Sequence, residues 1–114
     1  MSDTAFSVFV FGIYLLFTGS GFIFVPNFLL STLKLPKTNE PWIRILGIVI
    51  VAIGYFYIIA AHHELLPFFW ATIIERFAIL ISFTLLVLSK KAPNILILFG
   101  VVDALGAIWT LMVF

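Results

Sequence analysis

The chain contains no cysteine and very little charge. Without cysteine there is no disulfide, no thiolate metal site and no thiol redox chemistry. Charged residues make up 10% of the 114 positions, where a soluble domain carries about 25%. The net charge is +1, and no basic stripe is present to neutralise phosphates, which excludes nucleic acid as a partner. What is there instead is apolar: 64% of residues are hydrophobic and 14 are phenylalanine. Soluble domains average about 45–50% apolar residues. Too few polar side chains remain to cover a surface facing water, so the solvent that suits this chain is lipid.

The first residues, "MSDTAFSVFVFG", hold Asp3 and no lysine or arginine, and the apolar run continues to Val25. A secretory signal wants a basic start and a small-residue cleavage site. The segment is therefore expected to be a retained span. A bilayer-crossing helix needs about 20 apolar residues, and four segments qualify, roughly 5–25, 41–61, 67–89 and 94–114. Each must close its own backbone hydrogen bonds in lipid, which at these lengths means a helix. No short alternating strands of a membrane barrel are present. The expected fold is all-α, an integral membrane four-helix up-down bundle forming a single domain over residues 1–114.

Lys34 and Lys37 lie between the first two spans, and Lys90 and Lys91 between the last two, while both ends and the "HHELLP" connection carry no lysine or arginine. The positive-inside rule puts the lysine loops in the cytoplasm and both termini outside. Trp42 then falls at the inner boundary, and Trp70 and Trp109 towards the outer one. The segment "PNFLLSTLKLPKTNEP" has two readings: a short helix in the interface with Lys34 uppermost, or a loop whose leucines cap the bundle.

Charge reappears where it costs most. In "TIIERFAIL", Glu75 and Arg76 stand near the middle of the third span, where a charge costs about 2.5–3.5 kcal/mol on insertion scales. Adjacent helical residues diverge, so these two cannot share one direction. Asp103, in "FGVVDALGAIW", is near the centre of the fourth span. A hairpin about "KKAPN" puts Asp103 level with Leu80, one turn of about 5.4 Å from Arg76. An Arg76–Asp103 pair is expected. Glu75 is left to meet a second copy, face a cavity or remain protonated. Arg44 is a further candidate partner, or it snorkels to the interface from the start of the second span.

Glu75 shares a stripe with Thr72 and Ser82, and Asp103 shares one with Gly100 and Gly106. Gly12 and Gly19, like Gly47 and Gly54, are seven apart, a spacing that suits close helix packing. Tyr55 and Tyr57, near the depth of Trp70 and Trp109, either line an apolar pocket or form an interface belt. His62 and His63 are adjacent and point apart, so no metal site is expected. No histidine stands inside a span to hold a haem or to serve a hydrolytic triad. Gly19 and Gly21 follow no strand, so they form no nucleotide loop. No cofactor is expected.

The stretches "FVPNFLLSTLKLP", "EPWIRILG", "GYFYIIAA" and "LFGVVDALGAIW", over nearly the whole chain, resemble the small bacterial four-helix DoxX-like membrane proteins. The likeness is strongest to a branch with the same Trp-Ile-Arg and Asp-x-x-Gly-Ala-x-Trp elements. The resemblance implies a bundle in the bacterial cytoplasmic membrane with Arg44, Arg76 and Asp103 as its polar core. The wider group is similar in architecture to quinone-linked subunits and to assembly chaperones, so function does not follow from fold. The expected role is structural, accessory or small hydrophobic-ligand-binding, built round Arg76, Asp103, Glu75, Arg44, Tyr55 and Trp109. No residues of an enzymatic mechanism are visible. One rival is a small proton-coupled transporter using Glu75 or Asp103. Small multidrug exporters carry their carboxylate in the first span, which here is uncharged. The other rival is a redox-complex subunit, which a bound chromophore would reveal. Candidate partners are lipid, a hydrophobic small molecule, another membrane protein and a second copy of the chain.

Overall fold

A computed structural model describes all residues, Met1–Phe114. Its five helices are α1 (Asp3–Phe24), α2 (Pro26–Thr32), α3 (Trp42–His62), α4 (Leu66–Leu88) and α5 (Ile95–Met112). There are no strands. All but α2 are long and apolar enough to cross a membrane. The chain is thus a multi-pass membrane protein, and outward-facing side chains such as Phe17, Ile48, Ile74 and Leu88 are its surface for lipid. Its longest dimension is 41 Å, enough to clear a hydrocarbon core of about 30 Å.

Local chemistry sets the helix ends. The Ser2 hydroxyl accepts a hydrogen bond from the Ala5 N–H at 3.0 Å, and Asp3 sits in the first turn, an N-cap and a charge that both suit a helix start. Pro26 breaks α1 without ending helical structure, because it occupies the first position of α2, where its missing N–H is no loss. Of the two readings of this segment the helix is the one formed. Its Leu30, with Leu33 beyond it, is buried against Phe22 and Ile43, and Phe28 faces outward.

Three helices close in the same way. Lys34, Glu64 and Lys90 take left-handed φ values of 58°, 52° and 59°. In each case the next residue's N–H reaches back five positions: Leu35 to the Leu30 carbonyl at 2.8 Å, Leu65 to Ala60 at 3.1 Å and Lys91 to Leu86 at 2.9 Å. This is the Schellman closure that glycine usually provides. Here charged residues accept the backbone strain and bring a polar side chain to the end of an apolar helix.

The long helices pack as two tight pairs, α1 with α3 and α4 with α5, and α1 also touches α5 and α4. The first pair is a glycine seam. A Cβ on Gly47 would stand 2.6 Å from the Gly19 carbonyl oxygen, and one on Gly54 would stand 2.9 Å from that of Gly12. Gly12 therefore faces Gly54 and Gly19 faces Gly47, the matching of two seven-residue spacings in an antiparallel pair. In the second pair a Cβ on Gly100 would meet the Leu80 Cα at 3.1 Å. By contrast, α3 and α4, consecutive in the chain, hardly touch. Both termini and the α3–α4 connection share one end: Ser2 bonds Glu64, and the Thr4 hydroxyl donates to the Val113 carbonyl. The four loop lysines are at the other.

Candidate functional site

Arg76 is the largest fully enclosed side chain in the protein, with 0% of its surface exposed. A helical side chain leans towards the N-terminus of its own helix, and Arg76 does so. Its Nε donates to the Thr72 carbonyl at 3.1 Å, and Nη2 donates to the Thr72 and Thr110 hydroxyls, both at 3.1 Å. Thr110 Oγ1 also meets Ser7 Oγ at 2.8 Å, and Ser7 donates to the Thr4 carbonyl at 2.7 Å. One cation thus joins α4, α5 and α1 through hydroxyl groups. The guanidinium carbon lies 4.9 Å from the Phe11 ring centroid and 5.9 Å from that of Tyr57. Gly106 leaves the space for it: a Cβ there would come within 3.3 Å of Nη1. Nη1 is the one buried side-chain polar atom without a hydrogen-bond partner.

The expected Arg76–Asp103 pair does not form. No hydrogen bond joins them, and all of the guanidinium's partners are neutral oxygens. The direction of the side chain is the reason: the arginine points the opposite way along α4 from the expected one, towards Thr72, Gly106 and Thr110. The register is also offset by three residues, with Gly100 against Leu80, which puts Asp103 level with Phe77. Neutral partners suffice to enclose a guanidinium. One interhelical hydrogen bond of about 0.6 kcal/mol and a desolvated cation–π contact of about 2 kcal/mol, with two further bonds to Thr72 inside α4, offset most of an insertion cost of about 2.5–3.5 kcal/mol. Asp103 itself is buried, 9% exposed.

Glu75 is placed quite differently. It is exposed, and its Oε2 accepts a hydrogen bond from the Tyr57 hydroxyl at 3.0 Å. Tyr57 is buried, 2% exposed, and packs edge-on against Phe68 at 5.6 Å. Because α3 and α4 hardly touch, a cleft of about 260 Å³ opens between them, lined by Ile53, Phe56, Tyr57, Phe68, Ala71, Thr72 and Glu75. A second cleft, of about 220 Å³, lies between α1 and α5 and includes Ser7, Phe11, Tyr14, Gly106 and Trp109.

Of the remaining sequence candidates, Trp109 lines the second cleft and is 39% exposed, with Phe6 edge-on to it at 6.1 Å. Tyr55 is 57% exposed and lines neither cleft. Arg44 is exposed and donates from Nη1 to the Ile23 carbonyl. It thereby caps the C-terminal turn of α1, where a cation complements the helix dipole. Residues that the sequence reading did not single out are Ser7, Phe11 and Thr110; of Tyr55 and Tyr57, which it weighed together, only Tyr57 lines the cleft. A signal separating the two was present: Tyr57 follows Gly54 by three positions and so lies on the glycine seam. The spacing of Thr110 from Gly106, like that of Thr72 from Arg76, is one helical turn. Comparison with protein-family models, curated proteins and solved structures found no match.

Proposed function

We propose that this chain is a protein of the bacterial cytoplasmic membrane that binds a small hydrophobic ligand between α3 and α4, with the Arg76 cluster as the structural tie behind the site. One observation carries the reading. Glu75, midway along a membrane helix, is exposed on the wall of a cleft, and the Tyr57 hydroxyl is its only hydrogen-bond partner. A carboxylate that served only to hold helices together would be enclosed, as Arg76 is. Left facing lipid, it costs about 2.5–3.5 kcal/mol on insertion scales, a cost that a polar group on a ligand offsets. Three aromatic rings on the cleft wall supply the apolar part of such a site. The resemblance to DoxX-like proteins supports the same membrane, and the lysine bias supports cytoplasmic placement of Lys34, Lys37, Lys90 and Lys91.

Ala71 provides the test, since it is exposed and lines the cleft. Ala71→Trp fills the space. Wild-type protein extracted into lipid nanodiscs should retain a small molecule, detected by native mass spectrometry, that the variant lacks. Identical small-molecule profiles in wild type and variant would refute the proposal.

A further inference from the structure

The charge and lining of the α3–α4 cleft say what kind of ligand it suits. Glu75 Oε2 has one donor, the Tyr57 hydroxyl, and Oε1 has none. The adjacent cation makes no hydrogen bond to it, because every hydrogen bond of Arg76 runs to Thr72 or Thr110, inside the bundle. The cleft that Glu75 lines is also lined by the rings of Phe56, Tyr57 and Phe68. The face of an aromatic ring is the negative end of its quadrupole and attracts cations, most strongly where water is excluded. An acceptor-only carboxylate walled by aromatic rings, in a cleft of about 260 Å³ open to the surrounding lipid, is a counter-ion site.

We propose that the ligand is a hydrophobic organic monocation, an amine or quaternary ammonium carrying about one ring. Its charged head lies against Glu75, and its apolar body lies between Phe56 and Phe68. This rests on the ligand-binding reading above and narrows it. Nothing else lining the cleft bears a charge, and the remaining polar groups are the hydroxyls of Thr72 and Tyr57. The Thr72 hydroxyl is already engaged, donating to the Phe69 carbonyl at 2.8 Å and accepting from Arg76. An anion would meet a carboxylate on a cleft wall that carries no cation, so the site rejects it.

The probe is benzyltrimethylammonium, with neopentylbenzene as the neutral isostere in which carbon replaces nitrogen. Binding is measured by equilibrium dialysis against full-length protein in phosphatidylcholine nanodiscs, with empty discs subtracted. Wild type should bind the cation saturably. Glu75→Gln should weaken binding by at least about tenfold, Glu75→Asp should restore most of it, and the isostere should compete at least about tenfold more weakly. Phe68→Ala removes an aromatic wall and keeps the carboxylate, so it tests the same point should Glu75→Gln fail to fold; it should weaken the cation several-fold. Unchanged affinity in a folded Glu75→Gln or in Phe68→Ala, or equal competition by the isostere, overturns the cation assignment. If the cation does not bind but a neutral molecule is retained by wild type and lost in Ala71→Trp, the assignment fails while the ligand-binding reading stands. If neither is found, both fail.

Discussion

Thr110→Val and Asp103→Asn distinguish the observed Arg76 environment from a simple ion pair. Valine matches threonine in shape, so no cavity opens, but three contacts disappear: the Arg76 Nη2 bond at 3.1 Å, the Ser7 contact at 2.8 Å and the hydroxyl's own bond to the Gly106 carbonyl at 3.1 Å. Hydrogen bonds between membrane helices average about 0.6 kcal/mol and reach about 1.7, so the loss should be about 1–3 kcal/mol. Arg76 keeps Thr72, and Ser7 keeps the Thr4 carbonyl, which is why the figure is not larger. Asp103→Asn breaks no hydrogen bond and keeps the shape, so it should change stability by less than about 1 kcal/mol. If Asp103 were the buried partner of Arg76, its loss would cost about 3–5 kcal/mol. The assay is reversible unfolding in mixed micelles with increasing dodecyl sulfate, followed by far-UV circular dichroism. Cycles with Arg76→Met should give a larger coupling to Thr110 than to Asp103. A loss above 3 kcal/mol for Asp103→Asn, together with less than about 0.5 kcal/mol for Thr110→Val, would refute the reasoning.

Two further expectations concern packing and caps. Gly47→Ala places a Cβ 2.6 Å from a backbone oxygen of α1 and should cost about 1–3 kcal/mol, whereas Gly21→Ala meets only the end of the Leu29 side chain and should be neutral or stabilising; equal effects in the same unfolding assay would count against the seam. Lys90→Gly should stabilise by about 1 kcal/mol, because glycine takes a left-handed φ without strain; a loss of stability would show the lysine side chain to matter more than the backbone. The last expectation concerns acid. The Ser2 backbone N–H and hydroxyl both donate to Glu64 at 2.7 Å, and these bonds, the backbone one first, hold its carboxyl below the ordinary 4.5. A depressed folded-state value means that this tie is present above the ordinary value and is lost as pH falls through the lower one. Hydrogen-exchange protection of the first turn of α1 should therefore fall below about pH 4.5 in wild type, and Glu64→Gln should lack that step; an identical acid profile in the two would remove the idea.

Much of the fold is legible because it is local. The expected spans 5–25, 41–61, 67–89 and 94–114 differ from the observed helices by at most about two residues, since span length is set by bilayer thickness and a run of apolar residues reports it directly. The glycine seam is legible too, as equal spacings on two neighbouring helices. The helix ends are less so: lysine and glutamate in the left-handed conformation carry no glycine to announce them. For the polar centre, sequence singles out Glu75, Arg76 and Asp103 as charges out of place. It does not say which way each faces.

Composition and spacing alone thus determined the solvent and the number of membrane spans, and marked the glycines that form the α1–α3 seam, because each depends on a pattern along the chain. The tertiary structure decided what periodicity cannot carry. The N-terminal lean of a helical side chain gave Arg76 to hydroxyls instead of Asp103. The near absence of contact between α3 and α4 left Glu75 in an open cleft. In lipid an apolar face is satisfied equally by a neighbouring helix or by acyl chains, so hydrophobicity does not select which helices close upon each other. Backbone approach and a few hydroxyls do.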